Sequence, residues 1–452
     1  MQFTVRATEL NAVLERIDQV TESFDDDSTY SDTALITLSV RRGELTLKVG
    51  DLYSDLYATL TIEQKQDGTT RALTLQRSEL KEALGGFAPE ESLLFTTDGP
   101  LHHSDHEADF LRDLTSGDPQ LYVMSENGRC HLSYSHPQFN PYESKHEQIT
   151  HRLDIPQRAL RALLAYCVCC TAPQDPREYL QGPQLKLSMK QPRNLVCNAT
   201  DGNKLAILTA LLPESVKAEL DLETILRPQT VRQLLELLDA ESEEEAHLEF
   251  STYTCSSKVG NFTLESSLIY RPTRSLRFLV PNQSAGLTVS LPQFTACLHQ
   301  VHQHSQTPVF LKLLFVDAAD LNEDGSVPEQ ILKGSSRRTG KTPSKAAAPK
   351  SSVQGAAAWP GRAKPKFGAL FLEYTDSAKR KSALLVESTQ YRGKTCRITL
   401  SHPEVQAVLK GLSGLDRLLI AFDQDDFRSI IFSPLNTKNT LPIDITYLLP
   451  AI

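Results

Sequence analysis

Apolar residues recur along this chain in one repeated pattern, a short alternating run followed by a stretch with helical spacing. The first copy begins at Phe3, where an alternating run precedes Leu10, Leu14 and Ile17. Alternation indicates a strand with one buried face, and spacing of three and four residues indicates a helix with one buried stripe. The pattern occurs six times, in segments that begin at Phe3, Ala72, Leu153, Thr224, Leu287 and Arg397.

The segments between the helices consist of short alternating runs, such as residues 35–40 (LITLSV) and 56–62 (LYATLTI), which are typical of antiparallel strands. Taken in pairs, the six strand–helix units predict an α+β chain of three repeated domains, each with two helices packed on antiparallel sheet. We place these domains at residues 1–149, 150–284 and 285–452. The length of 452 residues agrees with three domains of about 150 residues each.

Composition and cysteine usage indicate where the protein works. The chain is 40% hydrophobic, yet no apolar run approaches the roughly 18 residues of a membrane-spanning helix. We therefore expect a cytoplasmic protein with no membrane partner. The eight cysteines show neither disulfide spacing nor paired CxxC motifs. Cys167, Cys169 and Cys170 continue an apolar helix face, and we expect buried thiols there rather than a metal site.

The net charge of -9 argues against a nucleic-acid partner, because phosphate binding needs an excess of Lys and Arg. Net charge does not, however, say where the charges lie. Basic residues occupy the outward stripe of four predicted helices, namely Arg77, Lys81, Arg158, Arg161, Arg232 and Lys410. They are either ordinary solvated helix faces or one shared surface that contacts phosphates, and the pattern alone leaves both interpretations open.

Two polar segments in the middle of the chain, residues 174–182 (QDPREYLQG) and 198–206 (NATDGNKLA), contain the candidate binding residues. The segment at 49–58 (VGDLYSDLYA) takes the same position in the first domain as 198–207 in the second. Recurrence at equivalent positions predicts a structural turn of which one copy is specialised.

The chain, with its three two-helix domains and these two motifs in the middle one, resembles the bacterial DNA polymerase III beta subunit, the sliding clamp. The resemblance is residue-specific in residues 153–213 and in the terminal YLLPAI. It implies a head-to-tail homodimeric ring around double-stranded DNA, without catalytic activity. It also implies a pocket between the middle and last domains for short hydrophobic motifs of the replicative DNA polymerase, the clamp loader and other proteins.

The resemblance assigns roles to individual positions. Gln174, Arg177 and Tyr179 match loop positions that approach DNA in the family. The peptide-binding pocket is assigned to Leu180, Thr200, Gly202, Lys204, Leu205, Pro272, Leu279, Leu448, Leu449 and Pro450. The resemblance implies no catalytic residue, no metal and no cofactor.

This chain departs from the family pattern in several places. Asn203 and Lys204 stand where the family usually has His-Arg, so the preferred peptide motif differs. The first-domain loop at 24–33 is acidic where the family brings an Arg to DNA. Histidines at 302 and 304 replace apolar residues of the ring-closing interface, opposite which Cys130 and Leu132 are expected.

An insertion at about 325–366 is expected to be a disordered loop of the last domain. Its part at 333–366 contains nine Lys or Arg and no Asp or Glu, a composition that cannot bury a core. It is either an inert insertion or an additional DNA tether.

Two other functions compete with the clamp. One is a clamp-derived protein that sequesters polymerase or loader peptides without encircling DNA. The acidic first-domain loop and the polar interface favour this alternative. The interpretation as an enzyme that hydrolyses nucleotides depends only on residues 335–342 (SSRRTGKT), an incomplete phosphate-binding motif.

Overall fold

The computed structural model describes residues 1–21, 34–51, 53–64, 71–97, 119–135, 148–188, 190–212, 221–269, 280, 283–304, 310–332, 367–375, 381–424, 427–435 and 443–452. The chain forms two compact units. Unit 1 consists of Met1–Leu164, Gln184–Leu195 and Leu211–Pro272. Unit 2 consists of Ala165–Pro183, Val196–Ala210 and Thr273–Ile452.

The described residues form eight α-helices and one 3₁₀ helix. The helices are α1 (Ala7–Thr21), α2 (Arg77–Leu84), α3 (Gln157–Val168), α4 (Glu178–Gln181), α5 (Pro228–Leu237), α6 (Leu291–His304), α7 (Glu329–Leu332) and α8 (His402–Gly411), with the 3₁₀ helix at Ala318–Asp320. Each of the six predicted strand–helix units is confirmed, with a strand directly before or within two residues of α1, α2, α3, α5, α6 and α8. No described helix is long and apolar enough to cross a membrane.

Unit 1 contains two antiparallel sheets and a further pair of strands. Its strands are β1 (Gln2–Arg6), β2 (Leu35–Arg41), β3 (Glu44–Gly50), β4 (Ser54–Thr61), β5 (Glu63–Gln64), β6 (Arg71–Gln76), β7 (Ser92–Thr96), β8 (Gln120–Met124), β9 (Arg129–Ser133), β10 (His151–Pro156), β11 (Gln184–Ser188), β14 (Leu222–Ile225), β15 (Glu245–Phe250), β16 (Thr254–Val259) and β17 (Phe262–Ser267). One sheet has the order β5-β1-β7-β8-β9 and the other β10-β15-β16-β17-β4-β3-β2-β6. Strand β11 pairs with β14.

Strand β12 (Gln191–Thr200) leads the chain from unit 1 into unit 2. The strands of unit 2 are β13 (Leu205–Leu211), β18 (Ala285–Ser290), β19 (Phe310–Val316), β20 (Gly368–Thr375), β21 (Lys381–Tyr391), β22 (Cys396–Ser401), β23 (Arg417–Phe422), β24 (Ser429–Leu435) and β25 (Ile443–Pro450). They pair in the orders β13-β25-β24-β23-β18 and β21-β20-β19-β22.

The cores follow from the apolar periodicity of the sequence. Helix α1 buries Leu10, Leu14 and Ile17 on one stripe, and β3 alternates buried and less buried residues from Leu45 to Val49. Removing such side chains from water contributes about 1.5–3 kcal/mol for each large aliphatic residue.

The sheets continue across the predicted domain boundaries. In unit 1, β4 of the first repeat pairs with β17 of the second, with Leu56 opposite Leu264. In unit 2, β13 pairs with β25, with Leu205 opposite Leu448. The boundaries at 1–149, 150–284 and 285–452 therefore stay predictions, because the compact units do not coincide with them.

The insertion begins later than the sequence suggested. Residues 325–332 belong to the folded part of unit 2, and α7 packs Ile331 and Leu332 against a cluster that includes Val316 and Phe371. This stretch is folded because it contains apolar residues that can be buried against the rest of unit 2. The basic part at 333–366 lies outside the described residues.

Candidate functional site

The segment at 198–206 folds as a tight turn fixed by its own side chains. The Asp201 Oδ1 atom accepts hydrogen bonds from the backbone N–H of Asn203 (2.9 Å) and of Lys204 (2.7 Å). The Thr200 hydroxyl donates to the Lys204 carbonyl (2.6 Å) and accepts from the Gly202 N–H (3.1 Å). Gly202 has φ = +93°, a backbone conformation in which a side chain would be strained. The Thr-Asp-Gly sequence is thus explained by turn geometry.

The predicted recurrence of this turn in the first repeat is confirmed. The Asp51 Oδ1 atom accepts from the N–H groups of Tyr53 (2.7 Å) and Ser54 (2.8 Å), the same arrangement as at Asp201. The second carboxylate oxygen distinguishes the copies. That of Asp51 binds the Gln229 amide, whereas that of Asp201 binds the Lys204 ammonium.

In the segment at 174–182, Arg177 is held by its own loop. The Asp175 carboxylate accepts from Arg177 Nε (2.9 Å), Nη2 (2.8 Å) and the backbone N–H (2.8 Å). These hydrogen bonds lower the pKa of Asp175 to about 2 and raise that of Arg177. Tyr179 and Gln174 are exposed, so three side chains that the resemblance assigns to DNA lie at the surface of this segment.

The two segments meet within unit 2. A Cβ atom at Gly202 would lie 3.7 Å from Arg177 Nη2 and 3.9 Å from Leu180 Cδ1. Leu180 lies on α4 and is only 2% exposed. The backbone N–H of Ala172 donates to the Leu180 carbonyl (2.8 Å), which ties α4 to the end of α3.

An apolar cluster continues from this junction onto the sheet. Leu205 on β13 pairs with Leu448 on β25, and the two pack with Ile431 and Ala421. Ile207 and Leu419 extend the cluster and are only partly buried. Leu205 and Leu180 both lie beside the 198–206 turn, and the partly buried Ile207 and Leu419 give the cluster an apolar surface there.

Leu449 lies on the opposite face of β25 from Leu448, because successive side chains of a strand point to opposite faces. It shares that face with Tyr447, whose hydroxyl donates to the carbonyl of Tyr166 on α3 (2.7 Å). Leu449 is fully buried. Pro450 is half-buried at the end of β25. The structure thus brings Leu448, but not Leu449, into the cluster around Leu205.

Lys204 adds a nearly buried charge at the edge of this surface, with 9% exposure. Its ammonium forms an ion pair with Asp201. Burial opposes charge on both groups, but their mutual hydrogen bond outweighs it, so the pKa of Lys204 is raised and that of Asp201 is lowered. Both groups are therefore charged at neutral pH. Burial raises the pKa of nearby Glu404, and the Lys204 charge partly offsets this effect.

The basic residues predicted on helices of unit 1 are largely ion-paired. Arg77 (3.4 Å) and Lys81 both contact Asp18 of α1, and Arg158 contacts Glu243 at 2.6 Å. Arg161 on α3 and Arg232 on α5 are half-buried. Within unit 2, Lys410 is exposed in the last turn of α8.

Several predicted features lie outside the described residues. They are Pro272 and Leu279 of the pocket, the acidic loop at 24–33, the SSRRTGKT segment and the basic stretch at 333–366.

One group of described side chains could hold a metal ion. Asp154 on β10 faces His247 on β15, with 2.7 Å between Oδ1 and Nδ1, and Glu245 lies within 4.8 Å of both. All three are exposed. The neighbouring cross-strand pair of Arg152 and Glu249 on the same face indicates a row of cross-strand polar pairs, in which His247 is the hydrogen-bond partner of Asp154.

Sequence reasoning missed the residues that organise the site. Asp175 and Asp201 lie inside the quoted motifs, and their acidic side chains followed by turn residues are a recognisable Asx-turn signal. The contact between Leu180 and the Gly202 turn was expected only from the family resemblance and had no local sequence signal, because it depends on how α4 folds back.

By sequence, no protein-family model and no curated protein matches the chain. Solved structures do resemble it. The DNA polymerase III subunit beta from Pseudomonas aeruginosa matches with a TM-score of 0.69 and 16% identity, covering 100% of both chains. The pol III beta of Caulobacter crescentus gives the same values. The DNA polymerase sliding clamp from Bacillus subtilis has a TM-score of 0.68 and 14% identity, covering 100% of this chain and 99% of its own. The expected sliding-clamp fold is confirmed over the full length.

Proposed function

We propose that this protein is a DNA sliding clamp, a non-catalytic processivity factor that encircles duplex DNA as a head-to-tail homodimer in the cytoplasm. The observation that carries the proposal is the junction in unit 2. Leu180 lies against the Gly202 turn, and Leu205, three residues after Gly202, pairs with Leu448, which supports the pocket that the clamp resemblance implies. The likeness to clamp structures over the full chain supports it.

The apolar surface around Leu205 suits short hydrophobic peptides. Two or three Leu- or Phe-sized anchors contribute about 1.5–3 kcal/mol each on burial. Three such anchors supply at most about 9 kcal/mol before the cost of association, so the expected dissociation constants are micromolar or weaker. Such affinity holds a polymerase or a clamp loader at the site and still allows exchange between partners.

The ion pair of Lys204 with Asp201 sets the polar edge of that surface. The family's usual His-Arg would present two cationic donors, whereas here Asn203 is neutral and the Lys204 ammonium already has a buried partner. We therefore expect partner motifs that rely on apolar anchors more than on acidic residues.

The ion pairs of Arg77, Lys81 and Arg158 are compatible with DNA sliding. The Arg158–Glu243 pair is exposed and the Arg77–Asp18 pair partly exposed; ion pairs that solvent reaches contribute little stability, so phosphates can replace Asp18 or Glu243 as partners. Contacts to phosphates are independent of sequence, which lets the duplex move past them. Gln174, Arg177, Tyr179, Arg161, Arg232 and Lys410 are the other candidate contacts.

Topological retention on DNA tests the proposal. Protein placed on a closed circular plasmid by a competent clamp loader should remain bound through gel filtration at a salt concentration that abolishes ordinary phosphate contacts. One restriction cut should release it, because a linear duplex lets a ring slide off the end. Equal retention on circular and linear plasmid, or failure of loading, would reject encirclement and leave a peptide-sequestering protein as the better explanation.

A further inference from the structure

Four cysteines lie within unit 2 beside the Lys204 turn, and the proposed function does not use them. They form two sulfur pairs: Cys167 and Cys197 are 3.3 Å apart, and Cys169 and Cys170 are 3.8 Å apart. All four are free thiols. Sulfur atoms this close can form a disulfide after small movements.

Accessibility distinguishes the two pairs. Cys167 and Cys197 are fully buried, as is Cys170, whereas Cys169 is partly exposed. Burial, together with the neighbouring Cys197 sulfur, raises the pKa of the Cys167 thiol and keeps it protonated. Since only the thiolate attacks an oxidant, the closer pair is the less reactive one.

The surroundings of Cys169 favour its thiolate. Either sulfur can donate in the Cys169–Cys170 contact, and as a thiol Cys169 also donates to the Tyr166 carbonyl (3.5 Å). The contact with Cys170, opposed by partial burial and helped by the Tyr447 hydroxyl and the Lys204 ammonium, lowers the pKa of Cys169. The same contact raises the pKa of Cys170, which therefore keeps its proton. One thiol of the pair is thus suited to attack an oxidant, and its neighbour to complete the reaction.

We propose that Cys169 and Cys170 form a peroxide-sensing dithiol that regulates the peptide-binding surface. The Cys169 sulfur attacks one oxygen of a hydroperoxide, so that an S–O bond forms, the O–O bond breaks and the leaving oxygen takes a proton. The Cys170 sulfur then attacks the sulfenic acid, forming the S–S bond and expelling water with the thiol proton. Two thiols lose two electrons and two protons, and the peroxide is reduced to an alcohol or water.

Closure of this disulfide must change the backbone. Consecutive Cα atoms lie about 3.8 Å apart across a trans peptide, below the roughly 4.4–6.8 Å usual for disulfides. The turn after α3 would rearrange, breaking hydrogen bonds such as that from the Cys170 N–H to the Cys167 carbonyl (3.0 Å). The hydrogen bonds that follow run from the Thr171 N–H to the Val168 carbonyl (3.1 Å) and from the Ala172 N–H to the Leu180 carbonyl (2.8 Å), so the movement reaches Leu180 beside the Gly202 turn. Strained disulfides are also the readily reduced ones, which makes the change reversible.

Peptide mapping of the full-length chain tests the chemistry. After treatment with hydrogen peroxide and blocking of free thiols, trypsin releases residues 162–177 with Cys167, Cys169 and Cys170, and residues 194–204 with Cys197. We expect a disulfide inside 162–177, reversed by dithiothreitol. Cys130, also half-buried but with a pKa raised by burial, is the internal control and should remain a thiol.

Variants identify the order of attack. Cys170→Ser should accumulate a sulfenic acid at Cys169 that reacts with dimedone, whereas Cys169→Ser should abolish both disulfide and sulfenic acid. A cross-link between 162–177 and 194–204, or oxidation of Cys130 at the same rate, would overturn the proposal.

Peptide affinity tests the regulation, which rests on the proposed function. Oxidised protein should bind a labelled clamp-binding peptide containing Leu and Phe about fivefold or more weakly than reduced protein. Cys130→Ser should lose affinity on oxidation like the wild type, and Cys169→Ser should not. Equal affinity of both redox forms would reject the regulation alone. Absence of binding by reduced protein would instead reject the proposed function, while the mapped disulfide would still decide the chemistry.

Discussion

Leu205 and Leu449 occupy different faces of the sheet, so changes at these residues test peptide binding and fold stability separately. Leu205 belongs to the cluster with Leu448 at the edge of the candidate site, and Leu449 is fully buried on the opposite face. We expect Leu205→Lys to weaken binding of a hydrophobic clamp-binding peptide about ten- to a hundredfold, because one apolar anchor loses its partner. Fluorescence anisotropy with the labelled peptide measures this.

Leu205 is 6% exposed and Leu449 has no exposed surface, so both changes cost stability and Leu449→Lys costs more, since a buried unpaired ammonium costs several kcal/mol. We expect a lowered thermal midpoint or insoluble protein, seen by circular dichroism. Leu211→Lys is the matched control on β13, because Leu211 is 63% exposed and should tolerate the charge without change in stability or binding. If Leu205→Lys binds peptide normally and Leu449→Lys is as stable as wild type, both placements are refuted.

At the scale of helices, Asp18 of α1 controls the charge of the neighbouring helix α2. It is the partner of both Arg77 and Lys81. Asp18→Asn should therefore strengthen duplex binding and steepen its salt dependence. Each phosphate that a freed side chain neutralises adds about 0.9 to the slope of log affinity against log salt concentration. Titration of a short duplex at several salt concentrations measures the slope.

Glu249→Gln provides the control for that experiment. It also removes one negative charge and frees one arginine, Arg152, but on the strands β10 and β15 rather than on a helix. If DNA binds the helix face, Asp18→Asn should raise duplex affinity and the salt slope more than Glu249→Gln does. Equal effects would mean that overall charge, and not the helix face, governs binding.

Six helices could be predicted because each follows an alternating strand and carries an apolar stripe with helical spacing. The same strand–helix pattern occurs six times. Ion pairing of the outward stripe could not be predicted, because Asp18 and Glu243 approach Arg77 and Arg158 only after folding. The Asp201 turn could be predicted from its Asx-turn residues. The place of Leu180 beside Gly202 followed only from the family resemblance, since no local pattern specifies how far α4 folds back.

For the whole molecule, an acidic chain with net charge -9 can bind DNA only if its positive charge is concentrated. The stretch at 333–366, with nine basic residues and no acidic ones, is the strongest such concentration in the sequence. If it is a DNA tether, deletion should flatten the salt dependence of duplex binding by about 0.9 for each phosphate that the stretch had neutralised.

A second variant separates charge from chain length in this stretch. Changing its nine Lys and Arg residues to Ser keeps the length and removes the charge. We expect this variant to reduce the salt slope as much as the deletion does, because a DNA tether contributes through neutralisation of phosphates. Peptide binding at Leu205 should remain unchanged in both variants, which checks that unit 2 is folded. A slope equal to that of the wild type in both would identify the stretch as an inert insertion.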